Sequence, residues 1–113
     1  MKEKKFENER FITRGVEENL NPLLVMVLWE LIDSMTIQQD YLQVFELSEE
    51  KGKQKIEHVQ EDPEYKREYL LDVDTSFFSV KSFSGSDVPN AFVGKLFVID
   101  DDTHSTMLLA EEY

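Results

Sequence analysis

Cysteine is absent from this 113-residue chain. That removes disulfide frameworks, thiolate metal sites and cysteine nucleophiles at once. Glycine is scarce, and Gly15, Gly52, Gly85 and Gly94 lie far apart. None belongs to a glycine-rich loop opening a helix, so no phosphate cradle is spelled out. Long apolar runs are missing too. The longest, Pro22 to Trp29, is eight residues and meets Glu30, whereas a membrane span needs about 20. Met1 to Arg10 is charged throughout and holds no apolar stretch of a secretion signal. The expectation is a cytoplasmic protein with no membrane contact.

Bases are the other shortage. Twelve Lys and Arg stand against 24 Asp and Glu, for a net charge of −12. Five of those bases (Lys2, Lys4, Lys5, Arg10, Arg14) fall in residues 1–15, so the remainder carries −14. Such a body repels nucleic acid and anionic lipid, and attracts basic partners at rates that fall with salt. Direct nucleic-acid binding is therefore not expected. The acid-rich span Glu57, Glu61, Asp62, Glu64, Glu68, Asp72, Asp74 leaves open a mimic of a phosphate row. The default reading of that span is a solvated face.

What is present suffices for a core. Apolar residues make up 41 % and aromatics 12 %, too much for general disorder. The length suits one domain over 1–113, with 1–10 expected as a flexible charged leader and 74–94 as a long, partly anchored loop. Arg10 to Val16 has strand-forming residues. Asn21 as N-cap and Pro22 at the first helical position predict a helix from Pro22 to about Met35. Leu24, Val25, Leu28, Leu31, Ile32 and Met35 share its apolar face. From Asp40 the period becomes two. Strands are predicted over 41–47, 53–60, 95–100 and 105–110, while 61–69 fits either a strand or a short helix. The expected architecture is α+β, with one main amphipathic helix packed on an antiparallel sheet of about five or six strands.

Catalytic patterns are thin. No serine sits in a Gly-x-Ser-x-Gly elbow. The neighbours His58 and Glu57, like His104 and Ser105, point to opposite faces of a strand, and His58 reads as a surface strand residue. The candidate metal ligands are Asp100, Asp102 and His104, which share a side if the chain is extended there. The opposing reading is a hairpin tip, where Asp bonds its own backbone. No catalytic residue and no cofactor is expected. On the helix, Leu23, Met26 and Val27 fall outside the sheet-facing stripe, with Trp29 on the opposite flank. A covering segment or a partner would account for them, so these four are the interface candidates, for another protein or a second copy as a homodimer.

Several stretches together resemble a known family: Thr13-Arg14-Gly15-Val16, Leu28-Trp29-Glu30-Leu31-Ile32-Asp33, Asp40 to Leu47, Gly52 to His58, and the closing Met107-Leu108-Leu109-Ala110-Glu111-Glu112-Tyr113. The chain is similar here to domain-of-unknown-function family nine hundred and sixty, small acidic proteins of Gram-positive bacteria. The resemblance implies a compact bacterial domain, with some relatives on mobile elements, and brings no activity, cofactor or catalytic residue. The function expected from the residues is a non-enzymatic protein–protein interaction module. The alternatives are an acidic mimic inhibiting a DNA-binding enzyme and a small metal-dependent enzyme.

Overall fold

The computed structural model describes residues 5–72 and 92–113. Capping chemistry decides where the helices begin. Asn21 accepts the Leu23 N–H at 2.8 Å, Pro22 needs no donor in the first turn, and α2 runs Pro22–Asp33. It closes just short of the expected Met35, where the Ser34 N–H returns to Glu30 O at 2.9 Å. The strand expected over Arg10–Val16 is divided. β1 covers Glu9–Ile12 and α1 covers Arg14–Asn19. Thr13 is the point of change. Its N–H bonds Met107 O at 3.1 Å, and its hydroxyl accepts the Val16 N–H at 3.4 Å as an N-cap. A side-chain cap there outweighs the β preference of the residues that follow.

The other elements are β2 (Leu42–Glu50), β3 (Lys53–Gln60), β4 (Tyr65–Asp72), β5 (Gly94–Asp100), β6 (His104–Leu109) and a 3-10 turn over Ala110–Glu112. The strands form one six-stranded sheet in the order β1-β6-β5-β2-β3-β4. The expectation of a purely antiparallel sheet needs correction, because β1 runs parallel to β6. These two strands come from opposite ends of the chain, so no hairpin dictates their direction. Within the β2–β3, β3–β4 and β5–β6 pairs short turns set the register. Lys51 (φ 54°) and Gly52 (φ 76°) both adopt left-handed backbone, as a two-residue hairpin loop requires. The ambiguous span 61–69 delivers a strand, with Tyr65 opposite Gln60.

Both helices lie on one face of the sheet. There Val16, Leu24, Leu28 and Ile32 join Phe45, Leu47, Ile56, Leu96, Val98 and Met107 in one core. Each such side chain contributes about 1.5–3 kcal/mol when fully buried.

Two expectations fail at this core. The leader is not a flexible arm from Lys5 onward, since Phe6 is 0 % exposed. The Phe6 N–H donates to Asp100 Oδ2 at 2.8 Å, and Arg10 holds Phe6 O through Nε at 3.1 Å and Nη2 at 2.7 Å. Burial of one aromatic ring is enough to tie down this short charged segment. His58 is not a surface residue either, being 0 % exposed. β3 turns Gln54, Ile56, His58 and Gln60 toward the helices, and the polar ones bond Gln43 and nearby backbone. Of the loop expected over 74–94, residues 74–91 lie outside the described residues. Phe92 is half-buried, with its N–H held by Gln54 Oε1 at 2.8 Å and its carbonyl by Gln54 Nε2 at 3.1 Å.

Candidate functional site

The second face of the sheet is unusual for what it carries. Strand alternation puts Phe11, Thr106, Ile99 and Leu42 side by side across four strands, in register. Two residues along, Leu108, Phe97, Val44 and Val59 form a parallel row. Phe11 is 46 % exposed, and its row-mates and the second row are half-buried. Tyr113, 80 % exposed, stands edge-on to Phe97 with ring centroids 5.2 Å apart. Among the described residues no helix covers these rows. Five neighbouring strands span about 19 Å at 4.8 Å spacing, so this is a tile of interface dimensions rather than scattered apolar residues.

Charge frames the tile. Beyond the second row, Lys95, Glu46, Glu57 and Glu68 stand opposite one another on four strands. Lys95 pairs with Glu46 at 3.5 Å, and Lys66 pairs with Glu57 at 2.9 Å. That contact and its charge hold the exposed Lys66 ammonium above the ordinary lysine pKa. Glu61 and Glu64 flank the β3–β4 turn, and Glu9 and Asp101 lie at the same end of the strands, toward the β1 edge. The rim is acidic.

The helix residues singled out by sequence do not form one patch. Met26 is 63 % and Leu23 38 % exposed, but Val27 and Trp29 pack against the core. The Arg10 guanidinium lies 4.6 Å over the Trp29 ring and pairs with Asp33. Arg10, in the segment after Phe6, therefore covers the Trp29 ring, while Leu23 and Met26 stay exposed.

The three candidate metal ligands are likewise separated. Asp100 turns inward and receives Phe6 N–H, Asn8 Nδ2 at 3.0 Å and Asp102 N–H at 2.7 Å. Burial pushes the Asp100 carboxyl up, yet these donors and the Lys5 charge outweigh it and hold it below the ordinary carboxylate range. His104 pairs with Asp101 at 3.4 Å, on the other side of the sheet from Asp100. Asp102 contributes backbone to the turn, at φ 82°. Asp101 Oδ1 accepts the Thr103 and His104 N–H groups at 3.0 and 3.1 Å. These contacts are the hairpin-tip chemistry, and among the described residues no three such side chains are arranged to hold a metal ion.

His58, which sequence reasoning left on the surface, anchors a polar chain instead. Its Nε2 lies 2.7 Å from Gln43 Oε1. Gln43 Nε2 donates to Gln60 Oε1 at 2.7 Å, and Gln60 Nε2 reaches the carbonyls of Gln38 and Pro63 at 3.0 and 2.8 Å. The ring stacks on Phe45 at 4.4 Å and meets Tyr65 edge-on at 5.2 Å. Desolvation, helped by the nearby Arg67 charge, lowers its pKa to about 4. The imidazole is neutral, and its Nδ1 has no hydrogen-bond partner among the described residues.

The closing residues of the chain also have a structural duty. Glu112 accepts from Thr13 Oγ1 at 2.5 Å, Leu109 N–H at 2.9 Å and Gly15 N–H at 3.1 Å. A Cβ on Gly15 would lie 2.5 Å from the Glu112 carboxylate, so the small residue keeps that bond open. The Thr13 and Leu109 contacts hold the Glu112 carboxyl below its ordinary pKa. Its stabilisation is therefore present above the unfolded carboxylate pKa and is lost as pH falls through the folded one. Glu112→Ala should lower the melting temperature at pH 7 more than at pH 3. Gly15→Ala should reproduce most of that loss, as thermal melts at the two pH values would show.

The two stretches joined by this contact, Thr13-Arg14-Gly15-Val16 and Met107 to Tyr113, are among those that carried the family resemblance. No curated protein matches the chain. A crystal structure of a protein of unknown function from Enterococcus faecalis is similar, with a TM-score of 0.75 and 23 % identity over 100 % of this chain and 98 % of that one. At that identity the likeness shows the fold alone. The family model described as Staphylococcal protein of unknown function (DUF960) matches residues 9–112, nearly the whole folded span, and the chain belongs to that family.

Proposed function

We propose that this protein is a non-enzymatic protein–protein interaction module whose docking surface is the open face of the sheet. The observation that carries the reading is the pair of rows Phe11–Thr106–Ile99–Leu42 and Leu108–Phe97–Val44–Val59, apolar at every position but Thr106, on the face away from both helices. An antiparallel sheet that faces water on one side ordinarily alternates apolar with polar residues, and β5 departs from this at Phe97 and Ile99, as β6 does at Leu108. Support on the non-enzymatic side comes from the histidines. His58 is committed to the core network and His104 to the turn at Asp101.

The acidic-mimic alternative draws on the row Glu46, Glu57, Glu68. Lys95 and Lys66 each bridge a member of that row, which makes it a poor copy of a phosphate backbone. The apolar tile is the better-supported surface.

The test compares surfaces. Phe11→Glu with Tyr113→Glu alters two exposed residues of the sheet face, and Met26→Glu alters the helix. Each variant should keep its stability within about 0.5 kcal/mol, as exposed substitutions do. The sheet-face variant should lose a partner that the immobilised wild-type protein retains from extract of its native host. Retention by that variant together with loss by Met26→Glu would move the docking site to α2.

A further inference from the structure

We infer that the open sheet face takes a basic partner segment, one whose apolar stripe is bordered by lysine or arginine, rather than a second copy of this chain. The inference deepens the interaction reading and rests on it. The tile is apolar in its middle, so its occupant must be apolar there to displace water. Selection comes from the rim. Glu46 and Glu57 are bridged by Lys95 and Lys66, but Glu9, Glu61 and Glu64 have no cationic partner among the described residues. An incoming cation finds those carboxylates unpaired. Contact with a charged rim guides encounter and suppresses like-charged partners.

The same rim argues against self-association. Face-to-face packing of two copies would set acidic border against acidic border, within chains of net charge −12 each. At physiological salt, charges within about 8 Å of each other remain unscreened. Nucleic acid is excluded by the same sign.

The experiment uses the full chain and two helical peptides of about 14 residues, roughly 20 Å long at 1.5 Å per residue. Both carry one leucine stripe, flanked by lysine in one peptide and glutamate in the other. The lysine-flanked peptide should shift the backbone amide signals of Val44, Phe97 and Ile99. Its affinity should fall about tenfold or more between roughly 0.05 and 0.5 M salt, since rim pairing is screened as ionic strength rises. The glutamate-flanked peptide should not bind. Glu61→Lys with Glu68→Lys, both exposed, should reverse the preference. Equal binding of both peptides to the tile would overturn the charge selection while leaving the interaction reading intact. A dimer in the free protein with these same amides protected would also overturn the inference, naming the second copy as occupant. Binding of the lysine peptide at α2 would overturn both.

Discussion

Between pH 6.5 and about 4, folding stability should fall by roughly 3 kcal/mol on account of one side chain. His58 has its pKa lowered to about 4 in the folded chain by burial and by Arg67, whereas the unfolded chain titrates near the ordinary 6.5. Below 6.5 the unfolded state therefore binds a proton that the folded state refuses. Stability is complete above that value and declines by about 1.4 kcal/mol per pH unit until the folded imidazole itself protonates. The geometry explains why protonation is resisted. A charged ring would be held between Phe45 and Tyr65, with Arg67 opposite it in the register and, among the described residues, no acceptor at Nδ1. Gln43, Gln60 and the Asp40 carbonyl supply dipoles and no counter-charge. Urea unfolding at pH 7 and pH 5 should differ by about 2 kcal/mol. His58→Gln should flatten that difference, while the losses tied to Asp100 and Glu112 remain, since their depressed carboxyls act at lower pH. Equal wild-type stability at the two pH values would mean that His58 is not buried as described.

Removing the Phe6 ring should be the most damaging single truncation near the chain start. Phe6→Ala deletes a side chain that is 0 % exposed, and aromatic-to-alanine changes in cores cost about 3–5 kcal/mol. The cavity could not collapse freely, because the backbone is held on both sides. Asp100 fixes the Phe6 N–H and Arg10 fixes its carbonyl. Asp100 is also bonded to Asn8, which accepts the Ser105 hydroxyl at 2.6 Å. Loss of the ring should therefore loosen β1 from β6 along with the core, raising amide exchange at Glu9–Ile12. A cost below about 1 kcal/mol in chemical denaturation, the range of an exposed site, would show that the ring is not seated there.

The sequence revealed α2 and the hairpins because each is written in local chemistry. Asn21-Pro22 starts a helix, Lys51-Gly52 turns a hairpin, and Asp101 with Thr103 closes another. Phe6 was hidden because a charged neighbourhood masks one aromatic whose partner, Asp100, lies at the far end of the chain. β3 misleads for a different reason. Its inward row of Gln54, His58 and Gln60 looks like a solvated face, since pattern counting cannot tell a hydrogen-bonded glutamine from a wet one. β1 joining β6 in parallel is a long-range pairing with no local signal. The open tile had a signal that helix periodicity overshadowed. Leu96-Phe97-Val98-Ile99 and Met107-Leu108-Leu109 are apolar at consecutive positions, the mark of a strand with two apolar faces. α2 accounts for one of them.

A photoreactive residue placed at position 97, carried in the native host and irradiated there, tests the docking surface most directly. Phe97 sits in the middle of the second apolar row and beneath the Tyr113 ring. One dominant adduct with another protein is expected from position 97, absent when the same group stands at the exposed Met26 on α2. Adducts from position 26 with none from position 97, under conditions where both variants fold, would contradict it.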